Sequence, residues 1–293
     1  MKRALLLTMG LLLGGCDDPL KTVELVEDPR VLGARVEVEG DAGRAAPAPG
    51  EHATVTLLVA TPELEPSFGF ALSACAAAPR QGARGRCAGP AFSQISAENG
   101  EQAPPRLELQ VPGDLDPRGR VLVLGVVCPN GSPNADGSAC DGPEPGTPVQ
   151  LELELARDGD VNQNPELPEA SVTFDGHAWP ELRVVDGLCS GMGFPEVAAG
   201  SVHDVGVALA ESDRDPLPRS SNLDPARESL QLSHFVSSGD ITRAFESIAW
   251  NSDDLQRHVS WTAPTTPGLT RFWFVLRDFR GGGAFTSRAV CVQ

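Results

Sequence analysis

Apolar and polar residues alternate with a period of two through much of this chain. Segments 31–38, 53–60, 106–111, 121–127 and 149–155 alternate in this way or run β-branched. That is the pattern of strands with one face buried. Pro, Gly and Asp punctuate the intervals, as at 47–50, 112–119 and 143–148. No stretch carries a 3.6-residue period with helix caps. Many short strands joined by Gly/Pro turns predict an all-β chain of antiparallel sandwiches.

The pattern also repeats. Residues 50–60 read GEHATVTLLVA and residues 200–210 read GSVHDVGVALA. Gly50/Gly200, Val55/Val205, Leu57/Val207, Val59/Leu209 and Ala60/Ala210 superpose at one offset. Farther on, Leu107-x-Leu109-x-Val111-Pro112 matches Val259-x-Trp261-x-Ala263-Pro264. Arg120 with its apolar run then matches Arg271 with its own. A strand, a long middle and a strand–turn–strand thus recur in order. The expected organisation is a short tether over 16–30, one sandwich over 31–157, an acidic linker over 158–170 and a second sandwich over 171–293.

The string PG-x4-V-x-L-x-V beginning at Pro49, followed by a long middle and TAPTTPGLTRFWFVLRDFRGGG over 262–283, resembles bacterial immunoglobulin-like domains. The whole is similar to a group of uncharacterised myxobacterial lipoproteins with tandem immunoglobulin-like modules. The resemblance implies two tandem Ig-like β-sandwiches and no particular activity. The chain departs from antibody-type domains: it has no tyrosine. It therefore has no tyrosine corner, and its cysteines lack the spacing around an intervening tryptophan.

The N-terminus changes the picture from a fold to an address. Lys2 and Arg3 precede an apolar run to Leu13, then Gly14, Gly15 and Cys16. This is a charged n-region, a short h-region and a small-residue cleavage site. Leu13-Gly14-Gly15-Cys16 resembles the bacterial lipobox. That implies removal of residues 1–15, diacylation of the Cys16 sulfur and acylation of the new amino group. Several acyl chains on one residue give stable anchoring without a transmembrane helix. The expected location is the membrane, facing the periplasm or the cell exterior. Asp17 resembles the inner-membrane retention signal of enterobacterial lipoproteins.

The formal charge is −17. Loss of Lys2 and Arg3 with the signal peptide leaves 21 basic against 40 acidic residues, or −19. Such a surface repels nucleic acid, which is excluded as a partner. The six cysteines other than Cys16 read as disulfides in an exported chain. Spacing favours Cys75 with Cys87, Cys128 with Cys140, and Cys189 with Cys291. There is no C-x-x-C and no cysteine–histidine cluster, which speaks against zinc.

Candidate chemistry is sparse. His52, His177, His203, His234 and His258 lie far apart, and no H-x-x-x-H, G-x-S-x-G or Walker-type loop occurs. The nearest approach, 187–191, carries Cys189 in the elbow and lacks a strand-to-helix context. The chain is therefore expected to be non-enzymatic. In the strand 271–277, period two puts Arg271, Trp273, Val275 and Arg277 on one face and Phe272, Phe274 and Leu276 on the other. The arginines mark the Trp273 face as the outer one. An outward Trp between two Arg has the composition of an interface hot spot or a sugar-stacking site. The alternative is that the arginine stems and the other domain cover it. In the linker, Asp158, Asp160, Asn162, Asn164, Glu166 and Glu169 alternate as oxygen ligands with EF-hand-like spacing, which makes Ca²⁺ the one candidate cofactor. Gln163 stands where glycine should turn the loop, and the alternative is a solvated acidic joint. The expected function is binding or scaffolding in the cell envelope, with an unknown envelope protein or glycan as partner. An adhesin or carbohydrate-binding module using the Trp273 face comes second, and a hydrolase a distant third.

Overall fold

The computed structural model describes residues 22–62, 67–79, 85–101, 104–142, 145–157, 162–182, 189, 193–217 and 227–293. Nine strands come first: β1 (Arg30–Val38), β2 (His52–Ala60), β3 (Phe68–Ala76), β4 (Ser93–Glu101), β5 (Arg106–Gln110), β6 (Arg120–Pro129), β7 (Ser132–Pro133), β8 (Cys140–Asp141) and β9 (Thr147–Glu154). One sheet runs β1-β2-β5 and the facing sheet runs β4-β3-β6-β9. Val36, Val55, Leu57, Leu107 and Leu109 meet Phe70, Leu72, Ala74, Val121 and Val123 in the core between them. First, second and fifth strands in one sheet, with third, sixth and last in the other, is the immunoglobulin-like arrangement.

The second group comprises β10 (Val172–Phe174), β11 (His177–Ala178), β12 (Glu196–Val197), β13 (Val202–Ala208), β14 (Leu230–Val236), β15 (Asp240–Ile241), β16 (Phe245–Ile248), β17 (Gln256–Thr262), β18 (Gly268–Arg277) and β19 (Gly283–Val292). Its sheets run β11-β10-β13-β17-β15 and β12-β19-β18-β14-β16. Among the described residues these strands pair with one another antiparallel, except β12 with β19, where Glu196 stands opposite Cys291. This core is aromatic. Trp179 and Trp261 each meet Phe272 edge-on, at 4.9 and 5.0 Å between ring centres. Their indole N–H groups donate to Ala289 O and Ser238 O, which offsets the desolvation of burying them.

The internal repeat extends to strand register. Val55 pairs with Leu107 on β2 and β5, and Val205 pairs with Val259 on β13 and β17. Ala53 opposite Leu109 likewise matches His203 opposite Trp261. The three disulfides join Cys75–Cys87, Cys128–Cys140 and Cys189–Cys291, with Cα separations of 5.6, 5.6 and 5.3 Å. No helix among the described residues is long and apolar enough to cross a membrane. Cys16 lies outside the described residues.

Two segments expected to be free are pinned. The tether predicted over 16–30 is bound from residue 24 onward. β16 pairs with only the first part of β14, up to Ser233, which leaves the backbone at Val236 open. The segment 24–26 fills it: Val26 N donates to Val236 O at 2.8 Å and Val236 N to Glu24 O at 2.9 Å. Val26 is fully buried, so the apolar pair Leu25–Val26 drives the docking. The linker is held in the same manner. Ala45 N donates to Asn162 O at 2.9 Å, Asn164 N donates to Gly43 O, and Gln163 N donates to Asp215 Oδ2.

Candidate functional site

The Trp273 face packs inward, against the first sandwich. Alternation along β18 is as predicted, but Trp273 is only 1 % exposed, which corrects the outward reading. Trp273 and Val275 form a cluster with Val26, Leu32 and Ala60, so this face of β18 meets β1 and β2 of the first sandwich. Arg271 lays its guanidinium 4.9 Å from the centre of the Trp273 ring and donates to Thr61 O at 3.2 Å. Arg277 donates to Leu32 O. Burial pulls Arg271 down to about 10, still protonated at neutral pH. Both charges therefore end on backbone carbonyls of the first sandwich instead of in water. Arg271, Trp273 and Arg277 form an interdomain seam, and a sugar has no access to the indole.

The linker residues continue that seam. Asn164 donates to Val36 O at 2.6 Å and accepts from Gly283 N at 3.1 Å. Asn162 donates to Asp278 Oδ2 at 2.8 Å. Glu169 Oε1 accepts from Glu181 N at 3.4 Å, and Glu166 N donates to Asp213 Oδ1 at 3.2 Å. Asp158 and Asp160 lie outside the described residues. Among the described residues no group of three or more His, Cys, Asp or Glu side chains is placed to hold a metal ion. The two asparagines thus join the sandwiches. Beside them Glu228 is 2 % exposed and pairs with Arg280 at 2.5 Å. Burial, and then the neighbouring Asp278, push its carboxyl up to about 7.

A concave surface lies on the outer face of the first sandwich, in a place the sequence did not mark. β3 sends Phe70, Leu72 and Ala74 to the core, so Ala71, Ser73 and Cys75 point outward. β6 does the same with Leu122, Leu124, Val126 and Cys128. Both short disulfide loops fold back over this outer face. The Cys75–Cys87 loop brings Gly85 against Leu122, where an added Cβ would lie 2.9 Å from the leucine. The Cys128–Cys140 loop covers Ala71 and Val126 at the other end. Between them remains a groove of about 1020 Å³, with Ser73, Gln94, Ser96 and Gln150 among its lining and the loop 134–138 as its wall. Its one carboxylate, Asp136, already accepts from Ser138 Oγ and N, and those bonds hold it below the usual carboxylate range. In a chain of −17 the polar part of this surface is amides and hydroxyls with that one carboxylate, set among apolar residues such as Ile95, Leu124 and Val149.

A third constellation joins residues that sequence reasoning kept apart. Ser201 precedes β13, and His203 stands two positions on, so both side chains share one face. Ser201 Oγ lies 2.6 Å from His203 Nε2, and His203 Nδ1 lies 2.7 Å from Asp175 Oδ2. Asp175 and Gly176 have φ of 50° and 76° and link Phe174 to its partner His177. This is the two-residue turn that matches strand twist, and it frees the aspartate side chain from the ladder. Asp175 Oδ1 accepts from Asp204 N at 2.9 Å. The Phe174 ring stacks on the imidazole at 5.0 Å. Burial alone would raise the Asp175 carboxyl, but the bonds from His203 and Asp204 outweigh it and hold the group below its ordinary value. The only local signal was an S-x-H at a strand start, and an Asp-Gly turn far upstream is invisible to any motif.

No protein-family model matches the chain, and no curated protein does. Among solved structures, the chicken CNTN1 FN1–FN3 domains align over 92 % of this chain and 69 % of theirs, with 10 % identity and a TM-score of 0.23. The Yersinia pseudotuberculosis adhesin InvE aligns over 88 % of this chain and 58 % of its own, with 13 % identity and a TM-score of 0.21. Trypsin-activated alpha-2-macroglobulin from Escherichia coli aligns over 90 % of this chain and 18 % of its own, with 9 % identity and a TM-score of 0.25. None of these likenesses informs the function of this chain.

Proposed function

We propose that this chain is an exported, lipid-tethered binding module of the cell envelope, with its ligand face on the first sandwich. The observation that carries the reading is the groove between the two short disulfide loops. It combines concavity, a rigid four-stranded floor and neutral hydrogen-bonding side chains, which is how polar ligands are oriented. The ligand chemistry it fits is uncharged and rich in hydroxyl or amide groups, such as a neutral glycan. The seam through Trp273 makes the two sandwiches one arm, and the lipid on Cys16 would set that arm on a membrane.

Two experiments test this. Soluble mature protein on a neutral-glycan array should retain a ligand, and Gln94→Ala with Gln150→Ala should weaken it about tenfold, since one or two hydrogen bonds of about 0.5–1.5 kcal/mol each are lost. Equal retention by the double variant removes the groove from the reading. In cells, Cys16→Ser should move the protein from the membrane to the soluble fraction, because no other acyl chain holds it. A variant that stays with membranes through a salt wash overturns the tether.

A further inference from the structure

We propose that Ser201 is a nucleophile activated by His203 and Asp175, and that it accepts acyl groups from activated esters bound in the adjoining cleft. The groove reading concerns the other sandwich, so this proposal stands apart from it.

The three side chains fill the roles of a serine–histidine–aspartate relay, which is recognised by geometry and not by order in the chain. The correct imidazole nitrogens face each partner: Nε2 the serine at 2.6 Å, Nδ1 the aspartate at 2.7 Å. An ionised Asp175 keeps the proton on Nδ1, which leaves the Nε2 lone pair facing Ser201 as a base. The imidazole is held in that pose from two sides. Phe174 stacks on it, and Asp204 N fixes the second oxygen of the aspartate. The Ser201 hydroxyl is shared at rest between Nε2 and Ala198 O, 2.5 Å away, and only the first of these bonds leads to proton transfer.

Beside the relay lies a cleft of about 390 Å³, which Ser201 meets through His203; Asp175, His177 and Glu196 share its lining with Phe174, Pro180, Phe194 and Pro195. The aromatic and proline part of that lining suits an acyl chain or an aryl ring. The reaction balances with water as the only co-reactant. Ser201 Oγ bonds to the acyl carbon as its proton passes to Nε2, and the ester's aryl oxygen leaves with that proton. Water then attacks the acyl-serine and gives its proton to Nε2. The bond to Oγ breaks, the proton returns to Ser201, and the carboxylic acid departs.

The backbone limits which esters react. Ser201 N already donates to Ala198 O at 3.2 Å, and Gly200 N to Pro264 O at 3.3 Å. These two N–H groups are spent, so neither stabilises a tetrahedral oxyanion. Each missing oxyanion donor costs about 10²–10³ in rate. Amides and alkyl esters therefore lie out of reach, while aryl esters and phosphonofluoridates, whose leaving groups depart readily, do not.

The test is covalent labelling of the mature protein with a reporter-tagged fluorophosphonate, which forms a serine–phosphorus bond and expels fluoride. Peptide mapping should place the tag on Ser201, with none on Ser201→Ala. Asp175→Asn keeps an oxygen for Asp204 N and so keeps the hairpin. It should slow labelling by about 10²-fold or more, as loss of the orienting carboxylate does in such relays. His203→Gln should do the same with an unchanged thermal melt. Failure of that chain to label, a tag on another residue, or Asp175→Asn labelling at an undiminished rate would each overturn the proposal.

Discussion

Trp273→Ala is expected to lower the unfolding free energy by about 3–5 kcal/mol, the usual cost of deleting a buried tryptophan. The indole is 1 % exposed, although it belongs to neither sandwich core. Its neighbours are Val26, Leu32 and Ala60, which come from the docked N-terminal segment and from the first sandwich. Truncation would open a cavity between the two sandwiches and leave both cores intact. It would also remove the ring beneath the Arg271 guanidinium, worth about 0.5–2 kcal/mol where the pair is desolvated. The loss should therefore appear as decoupling. Urea unfolding is expected to be one transition in the parent chain and to split into two in the variant, where two-state bookkeeping should fail. Tryptophan fluorescence follows the second sandwich, where Trp179 and Trp261 are buried, and circular dichroism follows both. Coincident transitions by the two probes with a shift under 1 kcal/mol would mean that the seam holds nothing together.

The same residue marks the limit of what the sequence discloses. Strand β5 was legible because it puts one face in a core and the other in water, and period two records that contrast. Strands β1, β2, β6 and β9 were legible as alternating or β-branched runs, although Leu32, Ala60 and Leu122 on their outer faces are covered. β18 follows the same period, and its two faces were correctly separated. What covers the second face is not a property of its own sequence. Arginine on a strand reads as exposure, because unpaired charge is costly to bury. Here the Arg271 and Arg277 donors reach carbonyls at Thr61 and Leu32, more than two hundred residues away. The tether and the linker were misread for a related reason. Acidic, proline-bearing text looks solvated, yet Leu25, Val26, Asn162 and Asn164 each find a buried place or a backbone partner on a distant strand. The relay at Ser201 is harder still. One member sits at a hairpin turn and two at a strand start, and they meet only because β10 pairs with β13.

Replacing both Cys189 and Cys291 with serine is expected to cost about 4–5 kcal/mol, because a loop near 100 residues gives the largest entropic return in this chain. The two positions are 102 apart in sequence, against 12 for each of the other pairs. Cys291 sits in the final strand, and the segment after Cys189 returns to that strand's edge. There β12 pairs only through Glu196 and Val197, helped by Cys291 N donating to Pro195 O at 2.9 Å. Gln293 N donating to Val197 O at 2.9 Å and Ala199 N to Gln293 O at 3.0 Å extend this short parallel edge, and the disulfide adds a covalent tie to it. Its loss should first release the segment carrying Phe194, Pro195 and Val197, which forms one wall of the cleft beside His203. Amide exchange at 194–197 should therefore quicken more than exchange in β13 or β17, where the long ladder is untouched. Labelling of Ser201 should slow as the wall is lost, while the short contacts from Ser201 to His203 and from His203 to Asp175 persist. Replacing Cys75 and Cys87 together with serine opens a far shorter loop and should cost about 3 kcal/mol, without effect on exchange at 194–197. Equal losses for the two double variants would overturn the loop-length argument, and uniform exchange across the second sandwich would show that the long disulfide acts only through the unfolded chain.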